Sequence, residues 1–232
     1  MSSTRRPPRV RQETLKRREE ILKAAMTTFG SKGYHNGPLT EIAEQVDMTH
    51  AGILHHFGSK DHLLTEVLRY RDETDVAGLD GRHIPGGVDM FRHLVRTAFL
   101  NAQRAGLVQT YAVLSAESVT DDHPAREFFQ VRYRTLRNEA VEAFEGMCTE
   151  RGVDAPASVR HAAAAILAVM DGLQIQWLLD PTRVDLGEAS SFAIDAIVSS
   201  VLDPQGSPLG SSPGSSSSTV PGAGSDAELT GA

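Results

Sequence analysis

Apolar residues first become periodic at about Glu13, with Ile21, Leu22, Ala25 and Phe29 recurring at three- and four-residue steps along one face of a predicted helix. Gly33, which tolerates positive φ, supplies a stop for that helix. A second, short helix is predicted in "LTEIAEQV", where Leu39, Ile42, Ala43 and Val46 share a face. Thr49 is a suitable N-cap for a third, "HAGILHHF", and Ser59 for a fourth, "KDHLLTEVLRYRDE", whose Leu63, Leu64, Val67 and Leu68 point inward. Asp61 adds a favourable charge to the first turn of the fourth.

A Gly-rich connection, "DVAGLDGRHIPGG", follows, and helical periodicity then resumes. Helices are expected near 88–105, 107–119, 124–152, 157–180 and 187–202, with Pro124 in the first turn of the third of these and Asp121 or Asp122 as its cap. No stretch alternates as a strand between hairpin turns, so the chain is expected to be all-α, with about nine helices. Residues 1–12 lack periodicity and carry Arg5, Arg6, Arg9 and Arg11, which predicts a flexible basic arm. From Asp203 the sequence is Gly-, Ser- and Pro-rich with too little apolar content to fold, which predicts a disordered tail over 203–232.

Charge changes this picture. Residues 1–60 carry ten Lys or Arg against six Asp or Glu, a balance of +4, while the whole chain stands at −7, which leaves −11 on residues 61–232. A basic head on an acidic body points to a polyanion as partner of the head. The lone Cys148 excludes an intrachain disulfide and fits a reducing cytoplasm. No secretory segment is seen, and the most apolar stretch, "AAAAILAVMDGLQIQWLL", is broken by Asp171, Gln174 and Gln176, so no membrane association is expected.

The chemistry of the head concentrates in "VDMTHAGILHHFGSK", Val46 to Lys60. Three short helices with the second and third joined by "DMT" outline a helix-turn-helix, whose second helix enters the major groove with its N-terminal residues at the base edges. Ala51 and Gly52 let the backbone come close, Thr49 and His50 can hydrogen-bond bases or phosphate, His55 and His56 lie toward the duplex backbone, and Lys60 can reach a phosphate as a point charge. With Thr40 in the second helix, these make the candidate DNA contacts. A zinc site is the alternative for His50, His55 and His56, but their spacing of five and one does not match helical ligand pairs, and adjacent residues diverge by about 100°. No metal or cofactor is called for.

These residues resemble the TetR-type transcriptional regulators. The likeness begins in "ILKAAMTTFGSKGY" through Ile21, Leu22, Ala24, Ala25, Phe29, Gly33 and Tyr34. It continues in "EIA" and in "THAGILHHFGSKDHLL", where Phe57, Ser59, Lys60 and Leu63 match the family pattern. "HPAREFFQVRY" and "DGLQIQWLLDP" extend it weakly to about 190 residues. Pro38 stands where family members place a capping Thr or Ser, Asp47 where the turn has Gly, and Leu54 where an aromatic is common. The resemblance implies a helix-turn-helix DNA-binding domain over 13–60, and a helical domain over 61–202 that dimerises and holds a small-molecule effector, without catalysis.

For dimerisation, Ile166, Leu173 and Trp177 on one apolar stripe and Phe192 and Ile197 on the last helix are the candidates, giving a homodimer on an inverted-repeat double-stranded operator. Met90, Phe99, Tyr111, Leu114, Phe128, Tyr133 and Met170 are candidates to line an effector cavity, with His83, His93 and His161 as polar anchors. Two other functions compete. A helical enzyme would have to rely on "GSSPG", Gly210 to Gly214, which fits G-x-S-x-G but lies in the predicted tail. A non-specific architectural DNA protein is opposed by the −11 body. The expected function is a ligand-responsive, sequence-specific repressor.

Overall fold

The computed structural model describes residues 8–76, 85–152, 154 and 157–203. Among the described residues are nine helices and no strand: α1 (Pro8–Asn36), α2 (Leu39–Gln45), α3 (His50–Phe57), α4 (Lys60–Val76), α5 (Val88–Asn101), α6 (Ala105–Glu117), α7 (Arg126–Glu150), α8 (Val159–Leu179) and α9 (Leu186–Leu202). Arg5, Arg6, His83 and the tail from Pro204, including Gly210 to Gly214, lie outside the described residues.

Helix α1 begins at Pro8, inside the expected arm. Proline's fixed φ suits a first turn and "RVRQE" is rich in good helix formers, whereas apolar periodicity marks only the part of a helix that packs. Ser59 Oγ accepts from the His62 amide at 3.0 Å, as a cap of α4 should. Helix α5 ends at Asn101, four residues early, where Asn101 O accepts from the Arg104 amide at 2.9 Å. Neither Asp121 nor Asp122 caps α7. That helix starts at Arg126, too far on for their side chains; Asp122 instead takes a positive φ of 61°, and Asp121 pairs with Arg126 at 3.1 Å.

The inner faces of α1, α2 and α3 meet in one core around Ile21, Phe29, Ile42, Ile53 and Phe57. Leu63, Leu64, Val67 and Leu68 of α4 belong to the same core, which runs on into Tyr111 and Leu114 of α6 and Phe129 of α7. A second core joins α5, α7, α8 and α9 through Met90, Phe91, Phe144, Ile166 and Ile194.

The two parts are sewn together where α1 lies against α6. A Cβ at Gly30 would run into Thr110, so glycine permits the close approach; the Thr110 hydroxyl lies 2.9 Å from Met26 O and 2.8 Å from Gly106 O. Gly33, at φ 74° and ψ 174°, interrupts α1 as a kink rather than closing it with the expected left-handed stop, and the helix resumes to Asn36. A side chain there would strike the Glu117 carboxylate, which accepts from the Tyr34 amide at 2.8 Å.

Around this joint the Tyr34 hydroxyl donates to Asp61, and His123 lies with its ring centroid 5.4 Å from that of Tyr34. His123 Nδ1 accepts from the Ala125 amide at 3.2 Å, which puts the ring proton on Nε2, 3.7 Å from Glu117. Burial holds the His123 imidazole below its ordinary 6.5, as does His35, against the opposing pull of Glu117 and Asp61.

Gly33→Ala should lower stability by about 1–3 kcal/mol for the backbone alone, with a further loss from the Glu117 collision; a wild-type denaturation midpoint would contradict this account of the joint. The His123 shift has a definite sign. A base with a depressed folded pKa binds its proton more readily when unfolded, so stability is full above 6.5 and falls as pH drops toward the folded value. Thermal melts between pH 5 and 8 (about 1.5 units either side of the ordinary imidazole value) should show a shallower acid-side loss for His123→Gln, and equal slopes would remove His123 as the cause.

Candidate functional site

Helix α2 starts after Pro38, which is extended at φ −77° and ψ 144° and makes no side-chain cap. Asp47 turns the chain at φ 52°, a conformation Asp reaches more readily than most residues. Thr49 then caps α3, its hydroxyl oxygen accepting from the Gly52 amide at 3.1 Å. Because Ile53 and Phe57 are buried on the core side, the opposite face of α3 is turned out. Thr40, Thr49, His50, Ala51 and His55 are exposed, and Gly52 and His56 are half-buried.

Two arginines of α1 that the sequence pattern did not single out hold α3 in place. Arg18 stacks 4.2 Å over the Phe57 ring, donates to His56 O at 2.5 Å and pairs with Glu66 of α4 at 3.1 Å. Arg17 donates to Val46 O in the turn at 3.2 Å. Burial lowers the His56 pKa, and the neighbouring His55, Arg18 and Arg17 lower it further, which favours a neutral ring. Lys60, expected to reach a phosphate, rests against α1. Its ammonium lies 4.6 Å from the Tyr34 ring centroid and 3.4 Å from His35 O, because the aromatic face and carbonyl of the α1–α6 joint lie within reach of its stem.

A cavity of about 790 Å³ opens among α4, α5, α6, α7 and α8. Tyr111, Phe128, Tyr133 and Met170 line it. Three other expected lining residues do not. Met90 is consumed by the second core, Leu114 by the first, and Phe99 is 41% exposed with its ring against the bare backbone of Gly187. Helical periodicity identifies an apolar face but not which neighbour covers it.

Polar chemistry in the cavity was largely missed. Asp72 of α4 accepts from Arg71 at 3.2 Å and from Arg132 of α7 at 2.5 Å. Both guanidiniums flank Tyr111, at 4.3 and 5.4 Å from its ring centroid. The Tyr133 hydroxyl donates to Asp171 at 2.5 Å. Burial raises the Asp171 pKa, against the hydrogen bond from Tyr133 and the charges of Arg132 and Arg71. Burial likewise drives the Tyr133 phenol upward. Asn101 and Gln174, both buried, complete the inner wall. A signal did exist, since Asp171 and Gln174 interrupt an otherwise apolar helix. His93 also lines the cavity, whereas His161 is exposed.

Of the expected dimer residues, Phe192 is 78% exposed. Ile166 is spent in the second core and Trp177 packs with Val108 and Leu186; Leu173 and Ile197 are half-buried against interior clusters. Ile166 and Trp177 are therefore covered within the subunit, and an all-round apolar helix does not declare in its sequence which face that will be. That outward face carries Ala164, Ala168, Ile175 and Leu179, the last 81% exposed. Among the described residues no group of three His, Cys, Asp or Glu is placed to hold a metal ion.

Comparison with known proteins places these features in context. Residues 21–67 match the family model "Bacterial regulatory proteins, tetR family", and residues 88–202 match "BetI-type transcriptional repressor, C-terminal". The HTH-type transcriptional regulator BetI of Paraburkholderia phymatum is 26% identical over 187 residues, covering 78% of this chain and 91% of the relative. The transcriptional regulator FadR from Bacillus subtilis, solved with stearoyl-CoA, superposes with a TM-score of 0.65 at 17% identity, covering 78% of this chain and 97% of that one. A regulator-like protein from Saccharomonospora viridis in complex with choline gives 0.63 at 22% identity, covering 79% and 96%.

His50→Ala should change which bases are preferred in a binding-site selection, because it removes a group at the α3 N-terminus. Lys60→Met keeps the stem over Tyr34 but removes the charge; it should weaken all sequences alike and reduce the slope of log affinity against log salt by about 0.9, the counterion for one phosphate. Indistinguishable effects from the two substitutions would abolish the division between base-reading and anchoring positions.

Proposed function

Since this chain belongs to the TetR family of bacterial transcriptional regulators, we propose that it is a homodimeric cytoplasmic repressor whose affinity for an inverted-repeat operator is set by a small molecule in the α4–α8 cavity. The α3 helix of each subunit enters a major groove, with Thr49, His50, Ala51 and Gly52 at the base edges and Thr40, His55 and His56 toward the phosphates. Lys60 joins them by swinging away from Tyr34. One such helix reads too few bases for a unique site, and a pair set about 34–36 Å apart reads two half-sites.

The dimer contact is the outward face of α8 and α9. Ile175, Leu179 and Phe192 are large, apolar and exposed on it, and Ala164 and Ala168 let a partner helix approach closely. A four-helix arrangement of two helices from each subunit buries such a face by two-fold symmetry.

The observation that carries the effector reading is the double life of α4. Leu63, Leu64, Val67 and Leu68 lie in the core shared with α3, while Thr65, Arg71 and Asp72 line the cavity. A ligand that alters how Asp72 is held by Arg132 therefore acts on a rigid rod separated from α3 by only two residues. Its leverage equals its differential affinity for the two positions of that rod.

Leu179→Glu combined with Phe192→Glu should yield a folded monomer in sedimentation, with operator affinity reduced at least about tenfold, a loss of some 1.4 kcal/mol or more. A variant that remains dimeric would place the contact elsewhere. Selection from random DNA with the unmodified chain should recover an inverted repeat, and equal affinity for scrambled duplexes would overturn sequence-specific repression.

A further inference from the structure

The cavity wall also indicates what kind of molecule it accepts, a conclusion that rests on the effector reading above and deepens it. Its buried ionic groups are already matched. Asp72 serves Arg71 and Arg132 together, and Asp171, within the field of both guanidiniums, holds the Tyr133 hydroxyl. An anionic ligand would have to displace Asp72. Glu139 has a partner of its own, and Glu73 and Glu127 are exposed. A quaternary ammonium needs open aromatic faces, but Tyr111 is already flanked by Arg71 and Arg132, two cations that would repel a third.

What the wall lacks is a neutral partner. Asn101 is fully buried and Gln174 is 5% exposed, and both face the cavity. Asn101 Oδ1 accepts from Arg104 at 2.8 Å, yet its Nδ2 has no acceptor, and Gln174 Oε1 has no donor. The two lie at the same end. Asn101 closes α5 just before α6 begins, and Gln174 is one turn before Trp177, which packs on Val108 in the first turn of α6. One helical turn back along α8 lie Met170 and Asp171, and Phe128 faces them from α7.

We infer that the cavity selects an uncharged amphiphile, with an apolar body seated against Phe128, Leu167 and Met170 and a terminal carboxamide or hydroxyl that donates to Gln174 and accepts from Asn101. Either group does both tasks at once, which neither a carboxylate nor a trimethylammonium can.

The test is calorimetric titration of the full chain with four probes, three sharing one apolar body: 1-naphthaleneacetamide, 1-naphthaleneacetate and (1-naphthylmethyl)trimethylammonium, with choline as the fourth. The acetamide should bind at least about tenfold more tightly than the others, the discrimination expected when a buried polar group is left unpaired. Gln174→Leu should erase most of that preference while leaving the melting temperature equal or higher, because it removes an unbonded polar atom, and Asn101→Leu provides a second reading of the same loss. Tighter binding of either charged naphthyl probe or of choline, acetamide binding unchanged in both variants, or no binding by any probe would overturn the inference. Operator release by a charged probe would keep the effector reading while overturning this one. An acetamide that binds as expected yet leaves operator affinity untouched would support the selectivity and count against the effector reading.

Discussion

The closeness of α1 to α6 is the constraint on which the other features depend. Glycine at position 30 brings backbone against Thr110, and positive φ at Gly33 turns the chain so that the Tyr34 amide meets Glu117. A single core then runs from Ile53 and Phe57 on the back of α3 to Phe129 and to Tyr111, which lines the cavity. Side chains in such an interior are packed at crystal-like density and do not deform gradually. A displacement at one end must be absorbed by rotation of whole helices. The basic head and acidic body are therefore one mechanical object despite opposite charge balances.

Within that object α4 is bound on several sides. Four leucine or valine side chains are committed to the head core, Thr65 between them lines the cavity, and Glu66 pairs with Arg18 of α1. Arg71 is the informative member. It is buried, stacks on Tyr111 and shares Asp72 with Arg132. Taking two guanidiniums from water is costly unless each is paired, and here one carboxylate serves both, with Asp171 nearby. Such a network has few arrangements that satisfy every member, which makes its geometry specific and sensitive to anything inserted beside it.

How far the sequence revealed this follows from what each signal measures. The head was legible because its helices are short and amphipathic: Ile53 and Phe57 could only point inward, which left Thr49, His50 and Ala51 outside, and Thr49 carries its own cap signal. Helix α8 was not legible in the same way. It is apolar nearly all round, so Ile166 and Trp177 looked as available to a partner as Ile175 and Leu179, and only tertiary contacts separate the buried pair from the exposed one. The cavity was half legible. Tyr111, Phe128, Tyr133 and Met170 announced themselves as large apolar groups, but Met90 and Leu114 gave the same signal and belong to cores. Arg71, Asp72, Arg132 and Asn101 gave no signal, because a polar residue on a predicted helix is read as solvated unless something shows the solvent side to be covered.

The unbonded amide atoms bear on how such a chain balances folding against response. Leaving a buried polar group unpaired costs about 1–3 kcal/mol, a noticeable share of the 5–15 kcal/mol that holds a typical domain together. A protein selected only for stability would fill position 174 with leucine, whereas Asn101 also accepts from Arg104. On the proposed reading, Asn101 and Gln174 hold free energy that is recovered when a matching group binds, and that recovery is what a ligand applies to moving an equilibrium. Shifting a two-state balance from 1:99 to 99:1 takes about 5.5 kcal/mol of differential affinity, near the upper end of the roughly 2–6 kcal/mol that pairing both amide atoms would recover. On the proposed reading, apolar contact with Phe128 and Met170 and strain passed through Asp72 to α4 would supply what the two hydrogen bonds do not.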